Sequence, residues 1–396
     1  MSDEDLLYRD DNFEYEEQSE DAEDYKLTAE DFQDLLISPA DWTVSTIRNQ
    51  IQKSIDLDPE FQRRGVWNKK AKSRFIESLM LGIPIPQILL SDEKEKKNMF
   101  IVLDGKQRLL SIKEFFEGKY DDGTSFKLTE LENLKDLNGS SWKDLQKDSD
   151  YAQALENSTI RTAVVKGWKN DAVLYEIFFR LNSGSVKLSP MELRMALYRG
   201  PFLRKIIKWT EQLNEVHSLL RLRRPDKRMA DVELTARHLA FARRNIVYRG
   251  NLKQFLDDYC KFENANYDER ELDKRLRNFL EAISAARKVF GEKSVCRKWL
   301  PREKRFDGRF NRALFDVIIG SFANEAFREW ALNDGNAVVE SFINVCEDSP
   351  DFVSSVESTT KSIGATNSRF RIWYERIFDL TNIPIEMPNI ANADGH

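Results

Sequence analysis

From residue 42 to about 168, short apolar runs of strand type alternate with stretches whose apolar positions recur every three or four residues; beyond about residue 171 only the helical spacing remains. That pattern predicts an α+β domain followed by a mainly helical one, with bounds of 37–168 and 169–396. A short strand at 42–44 leads into a helix capped by Ser45, along which Ile47, Ile51 and Ile55 recur every four residues. Asn68 is positioned to cap the next helix. Its stripe is Phe75, Ile76, Leu79 and Met80, and Gly82 stands where a left-handed C-terminal cap belongs. Strands are predicted at 85–90 and 99–103 around a charged turn, followed by a helix with Leu109, Ile112, Phe115 and Phe116 inward, ended by Gly118. A last strand falls at 161–168. Ser189-Pro190-Met191-Glu192 combines a capping serine, a proline in the first helical position and a glutamate reaching back to the cap. Amphipathic patterns continue at 202–220, 230–247, 252–259, 272–290, 311–323 and 338–346, with no repeat of fixed period.

Composition narrows the class. With 32% charged and 41% hydrophobic residues over 396, the chain is of soluble globular type, and no apolar run reaches the roughly 18 residues of a membrane span, which predicts a cytoplasmic protein without membrane contact. The net charge of −6 is uneven. Residues 1–24 hold twelve Asp and Glu against Arg9 alone, so the other 372 residues carry +5. An acidic, disordered tail is expected over residues 1–36, either simply solubilising or competing with an anionic ligand for a basic surface. Three cysteines far apart (Cys260, Cys296, Cys346) suit buried, reduced thiols rather than a disulfide framework or a zinc knuckle. Only His217, His238 and His396 supply imidazole, too few to build an HNH nuclease centre, a histidine metal site or a Ser-His-Asp triad with ease.

One short stretch carries chemistry. After the strand at 99–103 comes Asp104-Gly105-Lys106-Gln107-Arg108, at the opening of a helix. A sharp turn, backbone N–H groups, a helix dipole and a guanidinium together make a phosphate-sized anion site. Gly105 lets the backbone approach closely, Lys106 adds a point charge, and Arg108 can bind phosphate oxygens in pairs. Asp104 would then hold a metal or orient a water or hydroxyl. The plainer reading of the same string is a turn, a helix cap and a surface arginine.

Its context resembles a known family. The segments Asp58-Pro59-Glu60-Phe61-Gln62-Arg63-Arg64-Gly65-Val66-Trp67, Ile76-Glu77-Ser78-Leu79, Gly82-Ile83-Pro84-Ile85-Pro86, Val102-Leu103-Asp104-Gly105-Lys106-Gln107-Arg108-Leu109 and Phe179-Arg180-Leu181-Asn182-Ser183-Gly184 with Leu188-Ser189-Pro190-Met191-Glu192-Leu193-Arg194 resemble, in order and spacing, the N-terminal domain of GmrSD-type restriction enzymes. The resemblance spans about residues 42–200. It implies a ParB/sulfiredoxin-like fold whose motif, written DGQQR, sits where related proteins bind nucleotide phosphates. It further implies binding or hydrolysis of an NTP, whether GTP, ATP or CTP, coupled to nucleic-acid recognition or cleavage in defence against phage or modified DNA; hydrolysis would call for a divalent cation, Mg²⁺, to neutralise the phosphates. On that mapping Gln62 and Arg63 face the pocket of Gly105, Lys106, Gln107 and Arg108; Asn182 and Ser183 line its far side; and Asp104, Gln107 and Arg108 act on the reacting groups, with Asp104 toward metal. Lys106 stands where the family's first glutamine is usual, a change that either strengthens phosphate binding or marks lost hydrolysis. Members of this kind often cut DNA through a separate HNH-like domain, so a separate nuclease partner and a homo-oligomer are further expectations. Two alternatives remain open: a non-catalytic DNA-binding or interaction module with a vestigial phosphate site, and a metal-dependent endonuclease acting through the same motif.

Two basic segments in the helical part complete the picture. Residues 219–250 carry a net +6 that includes Arg221, Arg223, Arg224, Arg243 and Arg244; residues 297–312 carry +5, including Arg302, Lys304, Arg305 and Arg309. Interleaved Phe241, Tyr248, Trp299, Phe306 and Phe310 suit base stacking beside phosphate contacts, which makes DNA the expected partner; solvated helix faces with the aromatics turned inward are the alternative.

Overall fold

The computed structural model describes residues 27–55, 57, 67–93, 96, 98–147, 149–181, 189–226, 228–357 and 361–392. The acidic stretch 1–24, and with it the reading of that stretch as a tail, lies outside these residues. So does most of the first family motif. Two compact units divide the chain: one spans Tyr25–Leu197 and the other runs from Tyr198 onward.

The first unit is α+β. Strands β1 (Leu36–Thr43), β2 (Ile88–Asp92), β3 (Phe100–Asp104) and β4 (Thr159–Lys166) form one mixed sheet in the order β1-β4-β2-β3. β4 runs antiparallel to β1 and parallel to β2, and β2 pairs antiparallel with β3. Alternate residues go to opposite faces. Leu90, Val102, Ile160 and Val164 pack beneath helices α1 (Val44–Lys53), α2 (Lys69–Met80) and α3 (Lys106–Glu117), while Leu89, Ile101, Leu103, Ala163 and Val165 face the other way. Past the small helices α4 (Trp142–Leu145) and α5 (Ser149–Asn157), helices α6 (Asp171–Leu181) and α7 (Pro190–Leu197) cover that second face through Leu174, Ile177 and Leu193. A sheet covered on both faces reads as continuous apolar runs, which is why its strands are so plain in the sequence. It also explains why the first compact unit takes in α6 and α7, which the helical spacing assigns to the second domain.

Local capping follows the sequence closely. Asn68 accepts from the Ala71 amide at 2.8 Å, and Gly82, at φ +67°, ends α2 as its amide and that of Ile83 turn back to Leu79 and Ser78. Ser189 and Glu192 bond each other's backbone amides at 3.2 and 2.6 Å, closing the expected capping box of α7. Three details differ. Thr43, not Ser45, caps α1. β2 begins at Ile88 rather than 85, because Pro84 and Pro86 have no N–H to give to a ladder. Residues 28–36, expected within the tail, form a short turn of helix (Ala29–Phe32) and the start of β1, since Leu27, Phe32 and Leu35 find the second apolar face to pack on.

The second unit is helical, with one two-stranded ribbon. Helix α10 (Ala230–Phe241) is buried along its whole length, packed by α8 (Pro201–Thr210), α9 (Glu215–Leu219), α11 (Leu252–Ala265) and α13 (Arg312–Phe322). The single helix suggested for 202–220 is two, because Asn214 caps a fresh start at α9. Between α12 (Glu269–Phe290) and α13, strands β5 (Trp299–Leu300) and β6 (Arg305–Phe306) pair antiparallel. Helices α14 (Glu325–Asn333), α15 (Gly335–Asp348), α16 (Pro350–Glu357) and α17 (Ile363–Thr381) complete the unit. All three cysteines are free and buried, as expected. Among the described residues no helix is long and apolar enough to cross a membrane.

Candidate functional site

The geometry of Asp104–Arg108 starts with a slip in the sheet. β2 and β3 change register between Leu89 and Leu90, so that Leu103 is extra on β3 and Asp104 lies opposite Leu89 at the strand's end. The chain then turns through Gly105 at φ +93°, a conformation that favours glycine, and α3 begins at once. A Cβ at Gly105 would come within 2.9 Å of Arg108 Nη1 and 3.0 Å of Ile88 Cγ1, so the side chain is excluded by space as well as by backbone. Because the capping residue is glycine, it has no side chain of its own to bond the first-turn amides of α3. A buried pair anchors this helix to α2: Lys72 Nζ lies 2.7 and 2.5 Å from the two carboxylate oxygens of Glu114.

Arg108 is held in place. Its Nη1 donates to the Gln87 carbonyl at 2.8 Å and its Nη2 to Asp104 Oδ2 at 3.3 Å, leaving the side chain 14% exposed. The guanidinium is therefore fixed beside the helix start, with Asp104 as its counter-ion. Gln107 Oε1 accepts from the Trp67 amide at 3.1 Å, whereas its buried Nε2 has no partner among the described residues. Gly105, Lys106, Gln107 and Arg108 thus gather at one corner of the sheet with Asp104. Gln62, Arg63, Asn182 and Ser183 lie outside the described residues. Gln87 was not foreseen: its contribution is a carbonyl oxygen, which any residue type supplies. Among the described residues no three His, Cys, Asp or Glu side chains cluster as a metal cage.

The basic segments divide differently from their appearance in sequence. Arg237, Arg297 and Arg312 are interior: Arg237 clasps Asp316 at 2.5 and 2.6 Å, and Arg312 pairs with Glu233 at 3.5 Å. Arg243 donates to Glu263 at 2.9 Å and Arg244 pairs with Glu386. Phe241, Tyr248 and Phe310 are core residues, so none of them presents a face to a strand on the outer surface beside these arginines. What stays outside is a loop bearing Arg221, Arg223 and Arg224 and the β5–β6 ribbon, whose exposed tip carries Arg302, Lys304 and Arg305, with Arg309 just after it. The two segments are neighbours. Arg221 Nη2 reaches the Glu292 carbonyl at 3.4 Å, and burial first, then the charge of Arg221, holds Arg297 below the usual arginine range. Arg221 and Lys304, like Met229 and Cys296 nearby in sequence, have positive φ. Trp299 and Phe306 pack edge to face at 5.2 Å and remain half-buried on the ribbon.

A strand that ends in Asp-Gly, a glycine-led helix start and an anchored arginine beside it thus occupy one corner of an α+β sheet. Residues 44–199 match the family model described as GmrSD restriction endonuclease, N-terminal domain, which bears out the resemblance carried by the motifs. Neither the curated proteins nor the solved structures contain a match to the chain.

Proposed function

We propose that this is a nucleic-acid-binding protein of restriction and defence type that binds an NTP at Asp104–Arg108 and hydrolyses it, and engages DNA through the basic ribbon of its helical unit. The observation that carries the reading is the glycine-led start of α3: first-turn amides without a capping side chain, the helix dipole, and the guanidinium of Arg108 fixed beside them. The buried Nε2 of Gln107 is a further donor at the same corner. The matched family, a restriction endonuclease by description, supports the link to DNA. Asp104 would be the residue to hold Mg²⁺ here, and the ion would supply charge neutralisation on the phosphates. One observation favours the alternative of a binding module without turnover: Asp104 is already engaged by Arg108 at 3.3 Å, so acting on water requires it to let go.

The test is phosphate release from each of the four NTPs with Mg²⁺, with and without DNA, comparing wild type with Arg108→Ala. Turnover lost in the variant is the expected result and gives the base preference. Arg108-dependent binding with no turnover selects the binding module, and binding that ignores Arg108 overturns the assignment of the site.

A further inference from the structure

A pocket of about 230 Å³, open to solvent on one side past Glu386, lies in the helical unit. Its walls include His238 and Phe241 of α10, Asp316 and Gly320 of α13, and Phe370 and Tyr374 of α17. The extended segment after α17 supplies the remaining side through Ile385 and Pro388, and it is pinned there: Tyr248 and Asn389 bond backbone to backbone at 2.8 Å, and Ala391 donates to the Tyr248 carbonyl at 2.9 Å. The volume corresponds to about eight waters at about 30 Å³ each, room for one or two fused rings but not for a large ligand.

Most polar groups in these walls are spoken for. Asp316 accepts from both Arg237 and Arg369, so it offers no uncompensated charge. Two groups are not. His238 is 6% exposed, stacked on Phe279 at 4.3 Å and 15°, and neither of its ring nitrogens has a hydrogen-bond partner among the described residues. Burial, helped by the charge of Arg275, holds its pKa down to about 3, so the ring is neutral and presents one donor and one acceptor. The hydroxyl of Tyr374, in a side chain also 6% exposed, has no partner among the described residues either. Gly320 makes room for it, since a Cβ there would lie 2.7 Å from that hydroxyl. Both polar groups face the pocket, where water or a ligand can meet them, and the glycine in the last turn of α13 leaves the hydroxyl its space.

We propose that this cavity binds a neutral, planar nitrogen heteroaromatic of the nucleobase class, stacked among Phe241, Phe370 and His238 and hydrogen-bonded by His238 and the Tyr374 hydroxyl. The ring arrives either as a free base or nucleoside, or as a base turned out of a nucleic-acid strand. The site is independent of the one at Gly105.

The probe is 2-aminopurine, whose fluorescence falls on stacking, offered to the full chain as the free base, as its nucleoside and within a single-stranded oligonucleotide. Wild type and Arg108→Ala should both show saturable quenching, and Tyr374→Phe and His238→Phe should each weaken it about five- to tenfold, the loss of one hydrogen bond to a neutral group. Quenching by free base or nucleoside identifies a small-molecule site; quenching confined to the oligonucleotide and lost in both cavity variants identifies a strand. No saturable quenching in any form, or quenching unchanged in both variants, overturns the proposal. Should either variant unfold, the ring resonances of His238 in the wild type decide: they shift on adding the probe, and if they stay still the cavity holds only water.

Discussion

The two units place their unusual polar groups in opposite ways. In the α+β unit the groups of the proposed phosphate cradle are contiguous, Asp104 to Arg108, brought together by one strand end and one helix start. In the helical unit the cavity groups come from positions 238, 316, 320 and 374 on three helices, and the charges around them are cancelled across long sequence separations. A cradle built from backbone amides needs only a turn and a glycine, so a short string suffices. A pocket between helices exists only once those helices have packed.

The sharpest break of that contrast is at Asp316. Asp316→Ala leaves Arg237 and Arg369 buried without their counter-ion, and should cost about 3–5 kcal/mol, read as a lower midpoint of denaturant unfolding followed by circular dichroism. A cost under about 1 kcal/mol would mean that water already reaches these arginines.

Next in size is a pair of glycines in the α+β unit. Gly105→Ala meets both a positive φ and the Arg108 and Ile88 atoms within 3.0 Å, whereas Gly82→Ala meets only its φ of +67° in open space. The first should cost about 2–3 kcal/mol and abolish Arg108-dependent nucleotide binding; the second should cost about 1 kcal/mol and leave binding intact. Equal effects would show that the close approach at Gly105 carries no function.

Acid titration gives a smaller, signed effect. Burial pushes the Glu77 carboxyl up, but the amides of Leu134, Asn133 and Glu132, with Arg74, outweigh it and hold the carboxyl below its ordinary value of 4.5. Its contribution is therefore present above about pH 4.5 and lost as pH falls through the lower folded value. Stability measured against pH should drop less steeply on the acid side in Glu77→Gln, which gives up roughly 1–3 kcal/mol at neutral pH. An unchanged slope would remove Glu77 from the account.

The mildest change is at the ribbon. Arg302→Ala and Lys304→Ala should each weaken DNA binding a few-fold with no loss of fold, and should reduce the slope of log affinity against log salt by about 1 for each phosphate contact removed. Salt slopes equal to wild type would show that DNA goes elsewhere.

How much of this was legible follows from range. The caps at Asn68, Gly82 and Ser189–Glu192, the strand cores and the strand-turn-helix at Asp104–Arg108 rest on residues within a few positions of each other, and the sequence pattern predicts them. The fate of the basic runs was not legible: Arg237 and Arg312 look like the exposed Arg302 until Asp316 and Glu233, far along the chain, are placed beside them. The same holds for Arg108, whose second anchor is a main-chain carbonyl at Gln87.

By itself the sequence determined the α+β-then-helical order, most helix starts and stops, and the glycine turn into α3 at Gly105, because hydrophobic period, capping and glycine at positive φ are local properties. Only the tertiary structure decided that α6 and α7 close the second face of the sheet, which arginines reach solvent, and that His238 and Tyr374 meet across a cavity. Those outcomes depend on which surfaces bury each other, and burial is settled between elements distant in the chain.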